Sequence, residues 1–308
     1  MRCAFLCVFV LSGPLVSAQI PDEFTNLKVL PEDISKQDLM GYMRSWSMDL
    51  GVRCAHCHAG TSEKLNDLDF ASDEKKTKKI ARSMFKMLEE INAQFFEPHQ
   101  KQIGCYTCHD GTNDPRKLED RLMAVYEERG IEGLEAEYRE VRQKYYGKGG
   151  YNFGPWAALG AAADRLTAKE AYADAKRAHE INLEFHPNHD YSHFVIGCYH
   201  MYVGPELEKA RASYRAAMKA NASWTPKRLI HFAGKMHERG MPERGVAVLR
   251  ILTELAPQLP DGYFSLGRAL TEQGDKAGAE EAFRKALELK PDHAAASDAL
   301  SKLNSEDD

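Results

Sequence analysis

Two short segments carry residue types at a spacing suited to chemistry. Residues 54–58 and residues 105–109 both read Cys-x-x-Cys-His. Two thiols at this spacing reach the two vinyl groups along one porphyrin edge, and the imidazole that follows binds the iron from one face. The sequence therefore predicts two covalently bound haem c groups. The predicted thioether-forming residues are Cys54, Cys57, Cys105 and Cys108, and the predicted iron ligands on this face are His58 and His109.

Other chemistries of paired cysteines fit this pattern less well. A structural zinc site needs no histidine directly after each cysteine pair, and its pairs usually lie closer in sequence. A redox-active disulfide is expected beside a βαβ pattern, which this sequence lacks. Both alternatives are therefore disfavoured.

The first eighteen residues have the layout of a cleaved secretory signal. Arg2 is the only charged residue before Asp22, an apolar run spans residues 3–16, and small residues end at Ala18. An uncleaved membrane anchor is the alternative, but the run is short and residues 12–14 read Ser-Gly-Pro. We expect cleavage after Ala18, export to a periplasmic or extracellular compartment, and no transmembrane helix in the mature chain.

Composition and charge say little about function. The chain has 308 residues, of which 43% are hydrophobic and 28% charged, as in ordinary globular proteins. Its formal net charge of −5 is too mildly acidic to indicate a nucleic-acid partner. The length allows two domains.

The pattern along the chain predicts an all-α protein, with a haem-binding helix–turn–Cys-x-x-Cys-His module followed by a tetratricopeptide-like helical solenoid. We expect residues 1–18 to form the signal peptide and residues 19–115 the dihaem domain. Residues 116–150 would be connecting helices, and residues 151–308 a repeat domain that ends in a capping helix.

We call each Cys-x-x-Cys-His segment an attachment unit: the first is residues 54–58 and the second is residues 105–109. One helix is predicted before each attachment unit. The first spans about residues 35–50, and the second spans about residues 73–95 with Ser72 as its N-cap. The predicted apolar faces comprise Leu39, Met43, Trp46 and Leu50 on the first helix, and Ile80, Met84, Met87 (or Leu88) and Ile91 on the second. The design of helix, turn and haem attachment is therefore used twice.

Methionines on these helices are candidates for the sixth iron ligand. A methionine thioether raises the haem potential relative to ligation by two histidines. The candidates are Met40, Met43 and Met48 on the first helix and Met84 and Met87 on the second. Methionines on an apolar face are more often core filler, and this alternative stays open for each of them singly.

The stretch from about residue 26 to residue 111 resembles the cytochrome subunit of photosynthetic reaction centres. The matching segments are residues 43–54, 70–73, 81–87, 91–92 and 105–111. In that family the axial methionine lies on the helix before each attachment motif. The resemblance implies Met43 as the sixth ligand of the first haem and Met84 as that of the second, with Met40 and Met87 in reserve. Family members carry four haems whereas this chain has motifs for two, so the resemblance implies a haem arrangement rather than a physiological role.

Other histidines have two interpretations each. In the reaction-centre family a histidine near the position of His99 ligates a further haem, but an exposed loop histidine is the favoured interpretation here. A second cluster comprises His186, His189, His193 and His200. It is either a site for a metal or a neighbour's haem, or a polar repeat turn, and we favour the turn.

The second half of the sequence has the 34-residue period of tetratricopeptide repeats. The last copy spans residues 263–291, and Gly240 precedes Gly274 by one period. About four helical pairs are expected, followed by a polar capping helix over residues 294–303. Repeats of this kind present a surface to other proteins.

These features favour an electron carrier over an enzyme. Two haems in one short domain would lie close together, and methionine ligands would leave neither iron open to substrate. The repeat domain would dock a redox partner or another copy of the chain, and head-to-tail contacts would build a filament. A dihaem enzyme, such as a peroxidase or a reductase of a small oxyanion, is one alternative. A scaffold or sensor that bears haem is the other.

Overall fold

The computed structural model describes residues 20–60, 62, 64–99 and 101–305, and these residues fall into two compact units. The first unit comprises the described residues up to Arg116 together with Gly147–Gly150. The second comprises Lys117–Tyr146 and the described residues from Tyr151 onward. The predicted signal peptide, residues 1–18, lies outside the described residues.

In the residues that the structure describes, the fold is all-α, as predicted, apart from one short antiparallel ribbon. The ribbon pairs β1 (Ala59–Gly60) with β2 (Leu68–Asp69). The helices described in the first unit are α1 (Lys36–Asp49), α2 (Cys54–Cys57), α3 (Lys76–Ile91) and α4 (Cys105–His109). Those described in the second are α5 (Leu118–Tyr145), α6 (Ala158–Ala168), α7 (Tyr172–Phe185), α8 (Asp190–Tyr202), α9 (Leu207–Ala220), α10 (Thr225–Glu238), α11 (Pro242–Leu255), α12 (Pro260–Glu272), α13 (Lys276–Leu289) and α14 (Ala294–Ser305).

Helix α1 begins and ends where its sequence predicts. The Ser35 hydroxyl accepts the backbone N–H of Asp38 at 3.1 Å, which caps the helix. The chain leaves the helix through Gly51, whose φ of +61° suits a residue without a Cβ.

Helix α3 begins later than predicted, and Ser72 is not its N-cap. The Ser72 hydroxyl accepts the backbone N–H of Glu74 within the preceding turn, and the helix begins at Lys76. Asp73 lies outside the helix because its carboxylate pairs with Lys28 and Arg82. Beyond Ile91 the chain continues as one π-helical segment, Asn92–Phe96.

The first unit is held together by reciprocal packing of its two halves. Helix α4, which belongs to the second attachment unit, packs against α1, and α2 packs against α3. The rings of Trp46 on α1 and Phe85 on α3 lie 5.0 Å apart. Few hydrophobic side chains are buried: among the described residues of this unit they are Leu39, Ala59 and Leu68.

The second unit is the predicted tetratricopeptide-like solenoid. Its antiparallel pairs are α6–α7, α8–α9, α10–α11 and α12–α13, and α14 packs against α13. Glycines allow the helices of a pair to approach closely, since a Cβ on Gly267 would lie 2.6 Å from Cε1 of Phe283. Helix α5, which bends at Gly130, packs its apolar side chains into the core of this unit.

Across the described part of the chain, every helix is either too short or too polar to cross a bilayer.

Candidate functional site

A cavity of ≈ 420 Å³ lies within the first unit, and both attachment units face it. Its lining includes Cys54, Cys57, His58, Cys105, Cys108 and His109. The fold therefore brings the two motifs to one place although they are far apart in sequence. All four of these thiols are unbridged.

The methionine candidates divide into two groups. Met40, Met43, Met84 and Met87 line the cavity. Met48, by contrast, is 70% exposed and lies outside the lining. His99 ends an exposed 3₁₀ turn, Glu97–His99, and is also outside the lining.

The walls of the cavity come from α1 and α3. The predicted face of α1 is confirmed, since Leu39, Met43, Trp46 and Leu50 all line the cavity. The predicted face of α3 is partly wrong, because Ile80 is 55% exposed. The cavity is lined instead by Ala81, Met84, Phe85 and Leu88, with Met87 at the margin. The observed cavity face of α3 therefore differs from the predicted one and includes Lys78 and Arg82. Carbonyl and carboxylate oxygens accept the hydrogen bonds of these two side chains.

His109 is held in an orientation that suits metal binding. Its ring is buried, and Nδ1 lies 2.9 Å from the backbone carbonyl oxygen of Thr112. A carbonyl can only accept, so Nδ1 carries the proton and Nε2 keeps a free lone pair. A histidine that binds a metal is usually fixed in this way by a second hydrogen bond.

His58 is held differently from His109. Its Nδ1 is buried without a hydrogen-bond partner, and its ring contacts the Phe70 ring at 5.0 Å. Burial, followed by the Lys78 ammonium, lowers the pKa of His58 to about 4. The imidazole is therefore neutral at ordinary pH, as a metal ligand must be.

A surplus of positive charge surrounds the first attachment unit. Lys78 is only 7% exposed, and its Nζ donates to the carbonyls of Phe70 and Ser72 at 2.8 Å each. Burial lowers the pKa of Lys78. Arg82 donates to Asp73 at 2.5 Å. The sequence analysis missed both residues, although their i, i+4 spacing beside Phe85 would have placed them on the cavity face.

The second attachment unit lies beside carboxylates. The Asp49 carbonyl accepts the backbone N–H of Gly111 at 3.0 Å, which joins α1 to the loop after α4. Burial and then the Asp49 carboxylate raise the pKa of Cys105. Asp110 accepts the backbone N–H of Gly150 at 2.8 Å, and hydrogen bonding from Tyr106 lowers the pKa of Asp110.

The approach to α4 is fixed by Asn92. The Asn92 side chain donates to the Ile103 carbonyl and accepts the Ile103 N–H, both at 2.9 Å. At the next residue, the Gly104 N–H donates to the Thr107 hydroxyl at 3.2 Å. These bonds set where Cys105 begins its helix.

The residues present fit covalently bound porphyrin. Thiols, imidazoles and thioethers, which are the ligands of haem c, converge on one apolar cavity. The scarcity of buried hydrophobic side chains in this unit agrees with a large apolar group as part of its core. The sequence predicts these donor residues but could not show that they share a cavity.

Each histidine of the cluster in the second unit makes a local hydrogen bond. The contacts are His186 with the Phe153 carbonyl at 2.9 Å, His189 with Ser192 at 2.8 Å, His193 with the Pro187 carbonyl at 2.8 Å, and His200 with Glu206 at 2.6 Å. Within the described ranges, His, Cys, Asp and Glu side chains form no group of three able to hold a metal ion. The structure supports the polar-turn interpretation.

The first unit has the residue set of a c-type cytochrome module, and the second unit is a tetratricopeptide-like solenoid. Residues 16–140, fewer than half of the chain, match the family described as the photosynthetic reaction centre cytochrome C subunit. Residues 260–293 match the tetratricopeptide repeat. The resemblance inferred from the sequence is thereby confirmed, and this class of protein binds haem c covalently.

Among curated relatives, cytochrome c-554 of Chloroflexus aurantiacus is 35% identical over 115 residues, which cover 36% of this chain. The chain spans only 25% of the length of that relative. Solved structures similar to the second unit have low identity. They include YrrB, described as a tetratricopeptide protein with an unusual peptide-binding site (18% identity, 59% of this chain and 89% of that one, TM-score 0.31), and MamA (14%, 58% and 98%, 0.33). A third is a thermophilic tetratricopeptide protein of Thermus thermophilus (13%, 60% and 96%, 0.28).

Proposed function

We propose that this chain is an exported c-type cytochrome that holds two haem c groups in its first unit and relays electrons between redox partners. The observation that carries the proposal is that both attachment units and four methionines line one cavity. Haem c, once bound, supplies reversible one-electron chemistry at its iron. Residues 1–18 would direct export to the periplasm or the cell exterior, and would then be removed.

In the first site, Cys54 and Cys57 form the thioethers and His58 binds iron through its neutral imidazole. Met43 supplies the sixth ligand from α1, with Met40 in reserve on the same helix. The burial of His58 keeps its ring unprotonated, so protons do not compete with iron at ordinary pH.

In the second site, Cys105 and Cys108 form the thioethers and His109 binds iron. The Thr112 carbonyl holds the Nδ1 proton of His109 and so fixes the ring. Met84 supplies the sixth ligand from α3, and Met87 is the reserve. His99 has no role in this scheme.

The methionines favour a carrier over an enzyme. An iron capped on both faces has no position for a substrate, whereas a peroxidase or a small-oxyanion reductase needs an open or displaceable sixth position. Thioether sulfur is available in the cavity from both helices. We therefore assign this chain to electron transfer.

Spectroscopy of methionine variants tests the proposal. We expect the wild type to contain two haems per chain by pyridine haemochrome assay, both low-spin by optical and EPR spectra. Met43→Ala and Met84→Ala should each convert one haem to high spin. Met48→Ala is the matched control and should change neither, because Met48 lies outside the cavity.

Contrary outcomes are equally specific. A stable high-spin haem in the wild type would favour the enzyme. If neither Met43→Ala nor Met84→Ala changes the spectra, Met40, Met87 or a histidine is the sixth ligand, and the same measurement on Met40→Ala and Met87→Ala decides between them.

The repeat unit would bring redox partners to the haem unit, since tetratricopeptide repeats are protein-interaction modules. Head-to-tail contacts between copies of the chain would extend into filaments. Gel filtration and electron microscopy test self-assembly, and a monomer at every concentration would contradict it.

A further inference from the structure

The charges around the two attachment units differ in sign. Around the first attachment unit, residues 54–58, Lys78 and Arg82 line the cavity on successive turns of α3, and Arg53 also lines it. Lys75 reaches into the first attachment turn, where its Nζ donates to the Ala55 carbonyl at 2.6 Å. These four cations lie around one predicted iron site.

Among the described residues, the carboxylates that act against these cations are Asp73 and Asp69. Asp73 accepts from Lys28 and Arg82 at 2.5 Å each, and the Lys78 Nζ lies 3.6 Å from the same carboxylate. The Asp73 carboxylate is thus shared by three cations, Lys28, Lys78 and Arg82. The Asp69 carboxylate accepts the backbone N–H groups of Ala71 and Ser72 at 3.0 and 2.9 Å.

Burial makes the Lys78 charge costly. An ammonium that is 7% exposed loses most of its hydration, and its hydrogen bonds go to two carbonyls rather than to a carboxylate of its own. Such a group is retained at a cost in stability, and functional sites are where costs of this kind concentrate. Lys78 lies close to His58, because its Nζ donates to the carbonyl of Phe70, and the Phe70 ring contacts the His58 ring at 5.0 Å.

Around the second attachment unit, residues 105–109, the nearby charged side chains are negative. Asp49 lies beside the second motif, where its backbone carbonyl accepts the N–H of Gly111 at 3.0 Å, and Asp110 directly follows His109. Asp110 is held in place by the backbone N–H of Gly150, 2.8 Å from its Oδ2. The two predicted iron sites therefore lie in fields of opposite sign within one unit.

We propose that the Lys78–Arg82 pair holds the reduction potential of the first haem above that of the second, so that a single electron in the unit resides at the His58 site. This inference rests on the proposed function. Nearby cations stabilise an added electron, and nearby carboxylates oppose it. Haem c bound at the two motifs would supply reversible one-electron exchange, in which the electron gained by one site is the electron lost by the other and no bond or proton is transferred.

Spectropotentiometry of charge variants of the full chain tests this inference. The wild type should show two separate one-electron waves. The upper wave, at the higher potential, belongs to the first haem, and the lower wave belongs to the second. Lys78→Gln, which keeps a donor for the two carbonyls, should lower the upper wave and reduce the equilibrium preference for the first site about tenfold, or ~59 mV. Asp49→Asn should raise the lower wave. Both substitutions should reduce the difference between the two reduction potentials.

Two controls separate charge from structure. Lys79→Gln removes the same charge from the exposed neighbouring position on α3 and should leave both waves in place. Lys78→Arg keeps the charge and should keep the upper wave. If Lys78→Gln shifts the lower wave, or shifts neither, the inference is wrong.

Failure of this inference is distinguishable from failure of the proposed function. Haem content and spin state are measured first on every variant. A wild type without two low-spin haems contradicts the proposed function. Two low-spin haems of equal potential, or with the lower wave responding to Lys78→Gln, overturn only the inference.

Discussion

A Cβ atom on Gly51 would lie 2.0 Å from the carbonyl oxygen of Gly111, so the backbones of these two residues are in direct contact. Gly51 ends the helix that leads to the first attachment unit, and Gly111 follows the second. The hydrogen bond from the Gly111 N–H to the Asp49 carbonyl lies at the same junction. This junction ties the two halves of the first unit together.

Gly51→Ala should destabilise the first unit by about 2 kcal/mol or more, because a positive φ and a backbone clash both oppose the methyl group. The matched control is Gly41→Ala on α1, where nothing lies within 4 Å of the added Cβ. That variant should be stabilised by about 0.5–1 kcal/mol. Chemical denaturation followed by haem absorbance measures both, and equal effects would show that the junction is unimportant.

Asn92→Ala should weaken the second site without affecting the first. The variant loses two hydrogen bonds to the Ile103 backbone and leaves that N–H and carbonyl without their partner. We expect a cost of about 1–3 kcal/mol in the free energy of unfolding and reduced haem content at the second motif. Gln94→Ala, exposed on the same turn, is the control. Mass spectrometry of peptides that carry haem locates the loss, and full loading of both motifs would contradict the prediction.

Gly267→Ala should destabilise the repeat unit. The added methyl would lie 2.6 Å from Cε1 of the buried Phe283, and overpacking of this kind costs about 1–3 kcal/mol. Gly234→Ala, inside α10 with nothing within 4 Å, should instead stabilise the unit by up to about 1 kcal/mol. Urea unfolding followed by circular dichroism distinguishes the two signs, and destabilisation in both variants would point to a general effect of the substitution.

The repeat unit should lose stability as the pH falls below neutral. Burial, followed by His189, lowers the pKa of His179 from 6.5 to about 4. Below pH 6.5 the unfolded chain binds a proton at His179 that the folded chain excludes, so the stabilisation is complete above that pH and is lost as the pH falls toward 4. Between about pH 7.5 and about pH 5, His179→Gln should lose about 2 kcal/mol less stability than the wild type.

Urea titrations at the two pH values measure this difference. His99→Gln, at an exposed position of the first unit, should keep the pH dependence of the wild type. If His179→Gln keeps it as well, the buried imidazole does not govern the acid sensitivity of the repeat unit.

The sequence predicted what depends on local pattern and missed what depends on long-range partners. Ser35 caps α1 through a residue three positions away, and this contact is encoded locally. Ser72 reads as a similar cap, but Asp73 beside it is drawn to Lys28 and Arg82, so the helix begins later. The predicted and the observed cavity faces of α3 both contain apolar residues at helical spacing, so the pattern does not distinguish them. Lys78 lies on the cavity face because a carbonyl of the preceding loop accepts its hydrogen bond.

The same distinction applies to the site. Cysteine spacing predicts the attachment residues directly, because haem c chemistry fixes that spacing. The shared cavity depends on contacts such as that between Gly51 and Gly111, which no local pattern predicts. The contrast in charge between the two sites likewise appears only when side chains distant in sequence are brought together.

The small number of buried hydrophobic side chains in the first unit bears on how the chain matures. The repeat unit has an extensive core of its own and should fold without haem. Haem bonded to its thiols, as proposed, would add an apolar group to the core of the first unit, so that folding of this unit would be coupled to attachment. We expect the unattached segment to stay open to the enzymes that load it, and a chain loaded at one motif alone to remain susceptible to proteases.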